Sequence, residues 1–102
     1  MAEKVIYKYS LGKLGHSKVL MHRGARVLSC GMQGGTCQVW AVVNPQATQV
    51  VHDFFVCGTG HPSDEISFAT TFVGTVFDGP LVWHVFDYGE ESGRRRSDHG
   101  SR

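Results

Sequence analysis

Thr75-Val76-Phe77-Asp78-Gly79-Pro80-Leu81-Val82-Trp83-His84-Val85-Phe86-Asp87-Tyr88 is the stretch that decides the fold. Asp78-Gly79 is a turn signal, because glycine tolerates the positive φ that tight connections need. A β-branched and aromatic run lies on each side, which predicts a hairpin whose arms return on one another. Between Leu81 and Phe86 the only polar interruption is His84. Such a strand needs cover on both faces, or on one face and from a partner.

Working outward, Ile66 to Phe77 keeps β composition, and Gly74 inside it predicts a bulge or a close backbone approach. Ser63-Asp64-Glu65 suits a single helical turn with Ser63 as its cap. Thr48 to Cys57 alternates, with Val50, His52, Phe54 and Val56 set against Val51, Asp53 and Phe55, and predicts another strand. Arg26 to Val43 predicts a hairpin around Gln33-Gly34-Gly35. A two-residue turn at Gln33-Gly34 sets Cys30 opposite Cys37 and Leu28 opposite Val39. One face is then Leu28, Cys30, Met32, Cys37, Val39 and Ala41, a coherent core face. Asn44-Pro45-Gln46 ends the hairpin, because proline cannot donate to a ladder. Val5 to Tyr9 and Lys18 to His22 add two short alternating strands, and the lysine in the first suits a sheet edge.

Nowhere does an apolar pattern of helical period persist. The chain therefore predicts an all-β fold: a single small antiparallel barrel or sandwich of six to seven short strands. Residues 1–89 form this domain. From 90 to 102 no core-forming run follows, which predicts a flexible, basic, disordered tail.

The 102-residue length suits one domain with a modest core. No apolar run approaches the ~20 residues of a membrane span. Met-Ala-Glu-Lys is charged and lacks an apolar sequel, unlike a secretory signal. Three cysteines in no metal-type spacing point to a reducing compartment, hence cytoplasm. Charge is segregated. Residues 1–26 carry Lys4, Lys8, Lys13, Lys18, Arg23 and Arg26 against Glu3, while residues 27–89 carry no lysine or arginine and the acids Asp53, Asp64, Glu65, Asp78 and Asp87. Cross-strand pairing that cancels these charges is favoured over a basic patch.

Several blocks follow one order: Ile6-Tyr7-Lys8-Tyr9; Gly24-Ala25-Arg26-Val27-Leu28-Ser29 leading to Trp40-Ala41-Val42-Val43-Asn44-Pro45; Gly58-Thr59-Gly60-His61-Pro62; and Gly74-Thr75-Val76 with Leu81-Val82-Trp83-His84-Val85-Phe86. As a set they resemble a family of small hypothetical proteins encoded in tailed-phage and prophage genomes. The resemblance spans residues 5–87. It implies a phage-encoded protein acting in the cytoplasm of the infected bacterium, and it brings no activity with it. The Ser10–Lys18 link is glycine-richer than the family's usual polar link, which leaves the register of the first strands open.

Gly58-Thr59-Gly60-His61-Pro62 is the leading site candidate. Its glycines permit close approach of a ligand, its amides suit an anion nest, and Thr59 and His61 add donors. A sharp corner between strands also explains it, and that plainer reading is favoured. Cys57 with His61 has the composition of a thiol and its base, but no cation lies nearby and a core thiol is favoured. His52, His61 and His84 lack any metal-binding spacing, so neither a metal nor another cofactor is expected. Arg94, Arg95, Arg96 and Arg102 are interleaved with acids, which argues against nucleic acid as a partner. Tyr7, Tyr9, Trp40, Trp83 and Phe86 exceed what so small a core holds, and surface aromatics mark contacts.

No acid–base pair, triad or metal motif is present, so no catalytic residue is assigned. The expectation is a non-enzymatic phage accessory protein that binds and modulates a host protein. Its contact residues would come from Gly58, Thr59, Gly60, His61, Trp40, Trp83 and His84. The alternatives are a homo-oligomeric binder of an anionic nucleotide, joined through a strand edge, and a minor virion component.

Overall fold

The computed structural model describes residues 3–12, 14–63, 66 and 71–91. They form seven strands: β1 (Val5–Ser10), β2 (Gly15–His22), β3 (Arg26–Gln33), β4 (Thr36–Val43), β5 (Gln49–Gly58), β6 (Thr71–Asp78) and β7 (Leu81–Glu90). All pairings are antiparallel. One sheet runs β1-β4-β3 and the other β2-β5-β7-β6. The fold is a two-sheet β-sandwich. No described helix is long and apolar enough to cross a membrane.

The core lies between the sheets. Cys37, Val39, Ala41 and Val43 of β4 face Met21 of β2, Phe54 and Val56 of β5, Val76 of β6 and Val85 of β7. Their period-two spacing is that of strands with one face inward. Phe54 is fully buried, so truncation to alanine is expected to cost ~3–5 kcal/mol. β4, β5 and β7 are flanked by strands on both sides.

The closing hairpin forms as its sequence suggests. Asp78 opposes Leu81, and Gly79-Pro80 are the two loop residues. Gly79 takes φ 60°, and proline fixes φ near −65° at the next position, the combination of a II′ turn.

The β3–β4 hairpin differs from expectation. Its loop is Gly34-Gly35, both at positive φ, with Gln33 opposite Thr36. Cys30 therefore opposes Val39, and Met32 opposes Cys37. The shift is two positions, so face assignments survive apart from Leu28. A bulge between Val27 and Ser29 ejects Leu28, which is 41% exposed instead of lying in the core. The bulge brings Val27 and Cys30, three apart, onto the same inward face.

A second bulge interrupts β6 between Phe72 and Gly74. Gly74 also meets Cys30 of β3, where the edges of the two sheets approach. Both features expected of this glycine are present. β7 extends through Gly89 to Glu90, one residue past the expected end of the domain. Its end is tied down: Glu90 Oε2 accepts from Gly24 N at 2.6 Å, and Lys18 pairs with Glu91 at 2.7 Å. The expected tail otherwise lies outside the described residues. The Ser63 turn is described only through the bond from Ile66 N to Ser63 O, since Asp64 and Glu65 lie outside them too.

Candidate functional site

β5 ends in the Gly58–Pro62 loop, which folds against β7. Thr59 N donates to Val82 O and His61 N to Gly58 O, each at 3.0 Å. The second bond closes a tight turn with Gly60 in its third position, where φ 88° requires glycine. At Gly58 a Cβ would fall 2.7 Å from His61 Nδ1, so the imidazole packs directly on the bare Cα. Both glycines are thus explained by the turn itself. Two amides counted toward an anion nest are committed to carbonyls of the chain, which removes the basis for that reading.

The Cys57 thiol is buried beneath the loop and has Pro62 O at 3.5 Å and Gly58 O at 3.6 Å as acceptors. Buried and engaged with two chain carbonyls, the thiol fastens the loop and is not exposed for nucleophilic attack. Cys30 and Cys37 are unsuited to nucleophilic chemistry as well. Burial, reinforced by Cys37, pushes the Cys30 thiol up to about 11, and burial raises Cys37 too.

His84 ties three segments together. Its Nε2 lies 2.7 Å from the Thr59 hydroxyl in the loop, and its Nδ1 lies 3.0 Å from the Thr75 hydroxyl on β6. A hydroxyl donates or accepts, so both bonds hold whichever ring nitrogen carries the proton. Gly58, Thr59, Gly60, His61 and His84 line one pocket of ≈ 290 Å³ together with Phe86. Trp83 lines an adjoining pocket that shares Gly58, Thr59 and His61.

Trp40 stands apart. It sits on β4 in the other sheet, where its ring lies over Gly31, 3.5 Å from the position of a Cβ there. Nor do the three histidines converge. His52 is buried, stacks on Phe54 and bonds Asp87 at 2.7 Å, whereas His84 faces outward. Among the described residues no three metal-ligating side chains gather.

The sequence reading missed a row of aromatics across the outer face of the four-stranded sheet. His16 opposes Phe55, Phe55 opposes Phe86, and Phe86 opposes Phe72. The His16 and Phe55 rings lie 5.0 Å apart, and those of Phe72 and Phe86 5.5 Å. Tyr88, the extra residue of the bulge in β7, adds its ring 5.2 Å from His16. The row is covered at Phe55 and open at β6, where Phe72 is 55% exposed and Phe77, on the same face, 68%. The His84–Thr75 pair lies between them.

Lys18 is neutralised by Glu91, whereas Lys4, Arg23 and Arg26 line one cleft.

These features define a class: a small two-sheet antiparallel sandwich with an exposed aromatic edge beside a glycine-built loop. The chain belongs to the family described as Domain of unknown function (DUF7352), whose model matches residues 2–95. No curated protein and no solved structure matches the chain.

Proposed function

We propose that the chain is a phage-encoded, non-enzymatic accessory protein that binds and modulates a host protein in the cytoplasm of the infected bacterium. The contact surface is the outer face of β6 and β7 with the neighbouring Gly58–Pro62 loop. The observation that carries this reading is the exposure of Phe72 and Phe77 on one sheet face, around the hydrogen-bonded Thr59–His84–Thr75 bridge. Exposed apolar surface beside a satisfied polar centre is the composition of a contact core, in which aromatic anchors supply most of the binding energy. The phage setting rests on the resemblance of the ordered sequence blocks. A non-enzymatic role is supported by the state of the reactive groups: Cys37 and Cys57 are buried, Cys30 packs against the core, and both nitrogens of His84 are engaged.

Affinity capture from bacterial lysate tests the proposal. Wild-type bait should recover one host protein in stoichiometric amount, and a Phe72→Ser/Phe77→Ser bait of unchanged fold should recover none. A bare wild-type bait, or equal recovery by both, would overturn it.

A further inference from the structure

A separate cleft of ≈ 460 Å³ opens at one end of the sandwich, between the β3–β4 turn, the β6–β7 turn and the segment after β1. Its floor is apolar: Leu11 and Cys37 are nearly inaccessible, and Met32 packs on the core beside them. Trp83 forms part of the wall, and among the described residues Asp78 is the one charged residue of the lining. The volume falls within the range of small-molecule sites, which are mostly apolar with a few placed polar groups.

Asp78 is the informative residue. Aspartate beside a turn commonly caps it, as Asn44 does here by accepting from Gln46 N at 3.0 Å. Asp78 makes no such bond. Among the described residues, no hydrogen bond or ion pair reaches its carboxylate. Glycine and proline shape the adjoining turn without help from that side chain. No lysine or arginine occurs between residues 27 and 89, so the β3–β4 and β6–β7 turns bring no cation to the cleft; Lys13, next in sequence to Gly12, lies outside the described residues.

The geometry points to a binding site for a small organic cation, an ammonium or guanidinium group carried on an apolar body. The apolar portion enters over Leu11, Met32 and Cys37, and the cationic head remains at the mouth with the Asp78 carboxylate and the Trp83 indole. A carboxylate and an aromatic ring reinforce one another for such a head, by charge attraction and by the quadrupole of the ring. The site opens at the end of the sandwich rather than on the outer face of β6 and β7, and Trp83 also lines the pocket beside the Gly58–Pro62 loop.

Phenethylammonium is a suitable probe, with neutral 2-phenylethanol as its isostere. The two indole N–H signals in the NMR spectrum serve as reporters, assigned with Trp40→Phe, a substitution in the opposite sheet. The expected result is a saturable shift of the Trp83 signal and of the Gly35 and Thr36 amides, with no shift at Trp40. The neutral isostere should bind about tenfold more weakly, and Asp78→Asn should lose a similar factor for the cation. Asparagine is well tolerated next to turns, so that variant should keep the fold, and an unchanged amide spectrum verifies it. Equal binding of cation and isostere, undiminished binding to Asp78→Asn, or no saturable shift at millimolar probe would each overturn the inference.

Discussion

Gly74 and Cys30 meet where the two sheets close on each other: a Cβ on Gly74 would stand 3.0 Å from the Cys30 Sγ. Gly74 is not among the glycines at positive φ, so its backbone accepts alanine and only the crowding opposes the substitution. Gly74→Ala should therefore destabilise the protein by about 1–3 kcal/mol in denaturant unfolding. In a Cys30→Ala background the loss should shrink or reverse, because the gain from a stiffer unfolded chain is then unopposed. Equal losses in the two backgrounds would contradict this packing.

Gly58 presents a tighter version of the same constraint. Gly58→Ala must displace His61, whose Nδ1 would lie 2.7 Å from the new methyl. The expected cost is about 1–3 kcal/mol, largely recovered when His61→Ala is added. Thermal unfolding of the two single variants and the double variant reads the coupling directly.

The His84 bridge predicts local effects. His84→Ala removes the shared partner of Thr59 and Thr75, at a cost of about 1 kcal/mol. Amide exchange should accelerate in the Gly58–Pro62 loop and in β6 around Thr75, while β4 stays protected. Unchanged loop exchange would show that Thr59 N to Val82 O suffices to hold the loop.

Alkaline pH should weaken the fold through its thiols. Burial raises Cys30 from the ordinary 9.0 to about 11, with Cys37 adding to the effect, and burial raises Cys37 in the same direction. The unfolded chain thus releases these protons at lower pH than the native protein does. Their contribution is fully present below about 9 and is lost as pH rises toward about 11. Tyr9, raised by burial and then by Tyr7, acts in the same sense above its usual 10.0. Urea midpoints across this range should fall, and Cys30→Ala should flatten part of the decline.

Local chemistry made much of this fold legible. The closing hairpin, the bulge at Gly74 and the alternation of β5 each follow from residues within a few positions of one another. The β3–β4 register did not, because Gln33-Gly34-Gly35 offers two overlapping turns. Only backbone conformation at both glycines selects between them. Leu28 could not be read as exposed, since the bulge that ejects it has no glycine or proline to mark it. The site candidates around Gly58–His61 were visible because glycine and histidine cluster in sequence. The His16–Phe55–Phe86–Phe72 row was not, as it depends on the registers of three strand pairs joined by distant segments. Trp40 and Trp83 look alike in sequence, and only strand order separates them.

Photo-crosslinking in bacteria that express the chain probes the proposed contact surface most directly. With p-benzoylphenylalanine at position 72 or 77, on the outer face of β6, irradiation should attach the chain to one bacterial protein. The same probe at position 6, exposed on β1 of the opposite sheet, should attach to none. Crosslinks from position 6 with none from 72 and 77, or no adduct from any of the three, would contradict binding through the aromatic edge.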